Sequence, residues 1–192
     1  SGLTQIQNAG KARIRGIETD ISVRQGGFSF GAGMSYNDAK LTFPFCDKIT
    51  TSNTCATPAG NSVLAPSGTR LPVSAKFKGN ATVRYEYSLG GMDAHIQMAV
   101  NHIGKRSSDL RTFENSITGI FGAYTTADLS LGVEKNNWSM ELFATNLFNS
   151  RGIVNSGVQC VEKICGDAFN NTASGGVFYD NVIRPPLIGL KV

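Results

Sequence analysis

Phe28-Ser29-Phe30-Gly31-Ala32-Gly33-Met34-Ser35-Tyr36 alternates strictly: Phe, Phe, Ala, Met and Tyr lie on one face, Ser and Gly on the other. A period of two is the mark of an extended strand with one apolar and one polar side. The same period recurs in segment after segment, so the chain is constrained to an all-β fold. With the polar side turned to a lumen and the apolar side outward, the pattern is that of a transmembrane β-barrel wall.

Six further segments share it. Between Ala12 and Arg24, Ile17, Thr19, Ile21 and Val23 oppose Glu18, Asp20, Ser22 and Arg24. From Phe77 to Tyr87, an apolar face of Phe77, Ala81, Val83, Tyr85 and Tyr87 opposes Lys78, Asn80, Thr82, Arg84 and Glu86. Ala94, Ile96, Met98 and Val100 then oppose His95, Gln97 and Asn101. A fifth strand sets Ala127, Leu129, Leu131 and Val133 against Asp128, Ser130 and Glu134. The sixth sets Trp138, Met140, Leu142 and Ala144 against Ser139, Glu141, Phe143 and Thr145. Leu187 to Val192 closes the series. No segment carries the 3.6-residue period of an amphipathic helix.

The connections decide between two all-β architectures. Gln25-Gly26-Gly27, the Gly90-Gly91 stretch and Lys135-Asn136-Asn137 are short turns. Residues 40–72, 104–122 and 149–178 are long, non-periodic and rich in Ser, Thr, Asn and Gly. All three short turns fall at one end of the strands and all three long loops at the other. A soluble β-sandwich also alternates but usually has turns of similar length at both ends. Outer-membrane barrels have short periplasmic turns and long external loops, so the expected fold is an antiparallel, up-and-down transmembrane barrel segment of about seven strands. Tyr36, Phe77, Tyr85, Tyr87 and Trp138 sit near strand ends, where interfacial girdles belong.

Composition narrows the function. The 192 residues carry a net charge of +4 that is spread along the chain, which gives no case for nucleic acid. No apolar run is long enough for a membrane helix, which leaves strands as the only spanning device. The four cysteines form two local pairs, Cys46 with Cys55 and Cys160 with Cys165, in polar loops. Disulfides are the expectation; zinc ligation and free thiols are the competing readings. His95 and His102 come with no G-x-S-x-G elbow, no H-E-x-x-H and no phosphate loop. No enzymatic activity, cofactor or metal is expected.

Four short motifs then appear in a specific order. Asn8-Ala9-Gly10-Lys11-Ala12 with Gly16-Ile17-Glu18, Arg70-Leu71-Pro72 with Ala75-Lys76, Asn146-Leu147-Phe148-Asn149, and Arg184-Pro185-Pro186 with Ile188-Gly189-Leu190 together resemble the C-terminal barrel portion of TonB-dependent outer-membrane receptors. The resemblance implies a 22-stranded parent barrel, with residues 1–192 forming its last strands and the N-terminal plug lying outside them. It implies a Gram-negative outer-membrane location, contact with membrane lipid, and active import of a scarce small molecule, most often a ferric siderophore. Coupling to TonB would run through the missing N-terminal region. Val192 stands where the family usually has a terminal aromatic, so the true C-terminus is expected further on. A passive porin-like barrel and a soluble sandwich-type binding module are the alternatives. Within the second long loop, Lys105, Arg106, Arg111 and Phe113 are the expected ligand contacts, cations for an anionic chelate and a ring for its apolar part; a solvated loop, or one that binds lipopolysaccharide phosphates, is the competing reading.

Overall fold

The computed structural model describes residues 11–46, 55, 63–72, 74–158 and 178–192. Seven strands form its main sheet: β1 (Ala12–Gln25), β2 (Phe28–Leu41), β5 (Phe77–Leu89), β6 (Met92–Ile103), β9 (Tyr124–Lys135), β10 (Trp138–Thr145) and β13 (Leu187–Lys191). They lie side by side in chain order, each antiparallel to the next. This is the up-and-down meander of a barrel wall. The loops carry three two-stranded ribbons: β3 (Phe45–Cys46) with β4 (Val63–Ala65), β7 (Arg106–Ser107) with β8 (Ile120–Phe121), and β11 (Ile153–Val158) with β12 (Phe178–Val182).

The turns explain why sequential strands pair. Gly90 and Gly91 both hold positive φ, 59° and 78°, which matches the right-handed twist of the flanking strands and is costly for a residue with a Cβ. Asn136 adopts the same region at 51°, as Asn does most readily among non-glycine residues. Such turns fix register, and register fixes faces. Tyr36 pairs with Ile17 and Phe77, Phe30 with Val23 and Val83, Met98 with Val83 and Leu129, and Leu142 with Leu131 and Leu190. All of these share one face. Glu18, Lys78, Arg84, Asp128 and Glu141 occupy the other.

Burial on the two faces is the reverse of a water-soluble sheet. Ile17 is 72% exposed, Met34 54% and Leu142 47%, whereas the polar positions of β2 are half-buried. Among the described residues no layer of protein covers the apolar side. The polar side is hollow, with cavities of about 610 and 630 Å³ lined by residues such as Arg84, His95, Glu141 and Lys191 near the short turns and Glu18, Lys78, Asn101 and Thr126 near the loops. Arg24 and Arg84 both bind Glu86, at 3.1 and 2.9 Å, on that polar surface, where solvent screens such pairs.

Aromatic rows bound the apolar band. Phe28 stacks on Tyr85 at 4.4 Å and Tyr85 on Tyr87 at 5.6 Å near the short turns, while Tyr36, Phe77 and His102 stand near the loops. Eight residues separate the rows along β2, about 27 Å at ~3.4 Å per residue. With a strand tilt near 40° the band is roughly 20 Å tall, close to the apolar height of outer-membrane barrels.

The compact core lies in the loops rather than under the sheet. Leu41, Phe45 and Ala65 are buried, and Leu64, Leu71 and Leu110 pack against them. A disulfide joins Cys46 to Cys55, with Cα atoms 5.7 Å apart. Cys160 and Cys165 fall outside the described residues.

Two features differ from the sequence expectation. The second loop holds a seven-residue helix, α1 (Thr112–Thr118), too short to display a helical period. The loops pair into ribbons rather than remaining irregular. Phe143 lies on the polar face, where the alternation placed it, and its ring covers Gly189 of the neighbouring strand, where any Cβ would collide with it.

Candidate functional site

The end that bears the long loops is the site, and three contacts hold its loops together. Thr112 Oγ1 donates to Leu64 O at 2.9 Å, tying the second loop to the first. Arg106 Nη2 donates to Ile153 O at 2.6 Å and to Val154 O at 3.0 Å, tying the second loop to the third. Asn146 Nδ2 donates to Ser150 O and Arg184 O, both at 2.9 Å, tying the start of the third loop to its return into β13.

The four expected contact residues do not converge. Arg106 is only 5% exposed, lies over the rings of Phe121 and Tyr124, and spends its donors on carbonyls; its Nη1 is buried without a hydrogen-bond partner among the described residues. It is a brace between loops. Arg111 is bound to two carboxylates, Asp109 at 3.1 Å and Glu114 at 2.7 Å. Lys105 is exposed, and Phe113 is 70% exposed on α1. Those two remain open to solvent at the loop surface. Sequence reasoning treated the three cations alike because composition reports charge and not which carbonyls or carboxylates lie opposite it.

The second loop is internally fastened. Ser108 N–H donates to Asn115 Oδ1 at 3.1 Å and its hydroxyl to Gly119 O at 2.7 Å. Arg111 N–H donates to Asp109 Oδ1 at 2.8 Å. Burial would raise the pKa of Asp109, but the bonds from Arg111 outweigh it and hold the carboxyl below its ordinary 3.8. A depressed carboxylate pKa means stability that is present above the unfolded value and lost as pH falls through the folded one. Hydrogen exchange of amides 109–118 is therefore expected to stay constant from neutral pH to about 4 and accelerate below it, after correction for the intrinsic rate. Equal protection at pH 3 and pH 6 would remove the pair as a fastener.

Asn146-Leu147-Phe148-Asn149 is a built turn. Asn146 holds φ at 49° and Asn149 at 50°. Asn146 N–H donates to Asp128 Oδ1 at 2.8 Å, Ser150 N–H to Asn146 Oδ1 at 2.8 Å, and Leu147 N–H to Ala127 O at 2.8 Å. Arg70-Leu71 likewise has a structural use. Leu71 N–H bonds to Ala39 O at 3.0 Å, so this stretch pairs with the upper part of β2 beyond the reach of β5.

Each histidine has one polar side-chain neighbour among the described residues. His95 faces the hollow, with Nε2 3.9 Å from Glu141 Oε1. His102 stands on the apolar face, with Nδ1 2.8 Å from Thr125 Oγ1 and its ring against Phe77. Among the described residues no group of three or more His, Cys, Asp or Glu could hold a metal ion.

A meander with an uncovered apolar face, aromatic borders, a charged hollow face and braced loops at one end is a segment of a membrane β-barrel receptor wall. Residues 1–147 match the family described as TonB dependent receptor-like, beta-barrel, and the chain belongs to that family. Its members are outer-membrane transport receptors rather than enzymes. Comparison with curated proteins and with solved structures returned no match.

Proposed function

We propose that this chain is the C-terminal part of the barrel of an outer-membrane active-transport receptor, with ferric siderophores the leading substrate class. The observation that carries the reading is the inverted sheet joined to one-sided loops: lipid outside, a polar wall inside, and a ligand-facing rim at a single end. A plug contributed by a preceding region would fill the hollow beside Arg84, His95 and Glu141, and TonB would act through that region. A passive porin would share the wall, but the family match favours the energised receptor.

At the rim, Lys105 supplies an exposed cation with no ion-pair partner among the described residues and Phe113 an exposed ring, the chemistry an iron chelate with negative charge and aromatic arms requires. Arg106 acts on this surface indirectly, by fixing the second loop against the third. The test is uptake of radiolabelled iron, as a panel of ferric chelates, by cells whose receptor carries Lys105→Ala and Phe113→Ala. Loss of one charge-assisted contact and one apolar contact costs about 2–4 kcal/mol, so the half-saturating concentration should rise by 30-fold or more, roughly. Unaltered uptake of every chelate the parent imports would place the contacts elsewhere, and import of none by the parent would reject the substrate class.

A further inference from the structure

The rim helix α1 has little of its own to hold it in place. It is seven residues long, its N-cap Arg111 offers no side-chain hydrogen bond to the first turn, and its last turn carries no basic residue. A helix of that length is unstable alone in water, so its position comes from what it touches. Leu110, the residue before the cap, packs against the buried cluster of Leu41, Phe45 and Ala65, built from the first loop and the upper end of β2. Thr112 Oγ1, in the first turn, donates to Leu64 O of β4 at 2.9 Å. The bonds of Ser108 to Asn115 and of Arg111 to Asp109 lie within the second loop, so they hold the helix's shape and not its place.

The strand that receives Thr112 is short as well. β4 pairs with β3 through Phe45 with Ala65 and Cys46 with Val63, and an isolated two-stranded ribbon is marginal in water. The bridge from the fully buried Cys46 to Cys55 fastens it. Cys46 follows Phe45 in the chain and lies opposite Val63, so the bridge sits one residue from the core and, across the ribbon, one from Leu64. Closing the nine positions between the cysteines removes conformational freedom from the unfolded loop. The base of the second loop is held elsewhere, because Arg106 of β7 is tied to Ile153 O and Val154 O of the third loop. The second loop is thus divided: its base rests on the third loop and its tip on the first.

We propose that Leu110 and Thr112 are positioning residues for the rim, and that the Cys46–Cys55 bridge fixes the platform on which they seat α1. The first loop then sets where the exposed ring of Phe113 stands, although no residue of that loop need touch a ligand. The role given to Phe113 rests on the rim reading above; the coupling between the two loops does not.

The experiment is hydrogen exchange read by mass spectrometry on the intact receptor in lipid nanodiscs at neutral pH. The parent is compared with Cys46→Ser plus Cys55→Ser, with Leu110→Ala and with Thr112→Val. A bridge across a loop of this size is worth up to roughly 100-fold in the opening equilibrium, so the amides of α1 should exchange at least about tenfold faster without it. Leu110→Ala should speed them roughly tenfold, and Thr112→Val, whose hydrogen bond is exposed, roughly threefold. Amides of β7, braced by Arg106, and of β6 and β9 in the wall should be unmoved. Faster exchange in β4 with none in α1 overturns the platform, as does equal acceleration of α1 and β7. If the serine variant loses protection in the wall, the other two decide alone, and parental exchange of α1 in both overturns the proposal. Uptake of ferric chelates by the same variants tests the rim reading separately. The half-saturating concentration should rise in step with α1 exchange while the maximal rate holds. Accelerated exchange with parental uptake would reject the rim as the ligand surface and leave the platform standing.

Discussion

Replacing Met98 by Arg destabilises the barrel by about 2–4 kcal/mol, whereas Arg at the adjacent Ala99 costs close to nothing. Met98 is outward, 41% exposed, and paired with Val83 and Leu129 in the middle of the apolar band. A guanidinium there must be carried into hydrocarbon or drag water with it. Ala99 points to the hollow and is the register partner of Asp128, so a cation at that position meets solvent and a carboxylate. The measurement is urea unfolding of the receptor folded into lipid vesicles, with both variants compared to the parent. One residue separates the two sites, so propensity and strand position cancel and the face alone remains. Equal losses for the pair would mean that the apolar side does not face lipid.

The contrast rests on a feature that local sequence expresses directly. Phe28 to Tyr36 alternates without error because every second side chain meets the same solvent, and a period of two survives any uncertainty about partners. Gly90-Gly91 and Asn136-Asn137 were equally readable, since their backbone angles are dictated by the turn itself. What escaped is where the environment changes along one strand. The clean alternation ends at Tyr36 and the loop is expected from residue 40, because apolar residues shift from even to odd positions beyond Tyr36. In the structure β2 runs on to Leu41; the phase shift marks the strand leaving the membrane, with Ala39 and Leu41 now buried inward in the loop core. A periodicity reading treats a phase break as an end, and the partners on either side, residues 12–16 and residues 68–71, show that the strand continues.

The rim was less legible for a related reason. Arg106, Arg111 and Lys105 are indistinguishable as letters, yet one is a buried brace, one is paired with Asp109 and Glu114, and one is free at the surface. The fate of Arg106 depends on carbonyls tens of residues away, Ile153 O and Val154 O, and that of Arg111 on how the loop folds Asp109 and Glu114 back onto it. The Asn146-Leu147-Phe148-Asn149 motif was visible as a family signature, but its physical purpose needs three dimensions. Motifs in this chain turn out to secure the scaffold, and the positions proposed to face a ligand lie between them.

Asn146→Ala is accordingly expected to cost more than either loop-surface change, about 3–5 kcal/mol, and to loosen the return into β13. Asn146 is 5% exposed, and its amide satisfies two carbonyls and one N–H: Ser150 O, Arg184 O and Ser150 N. Truncation leaves those three groups unpaired in a dry site, at about 1–3 kcal/mol each before relaxation. It also places an ordinary Cβ residue at φ 49°, a further ~1 kcal/mol that Asn offsets through its local hydrogen bonds. Asn146→Gly isolates the second term, because glycine holds positive φ freely but supplies no amide. Asn146→Asp isolates the donors, because a carboxylate can still accept from Ser150 N–H but can donate to neither carbonyl. The expected order of stability in urea unfolding is parent, then Gly, then Ala, with Asp near or below Ala because two carbonyls now face a negative charge. Limited trypsin digestion should show new cleavage at Arg151 in the same order. If Asn146→Gly restores parental stability, the residue is kept for its backbone angle alone, and the tether to Arg184 O carries no energy.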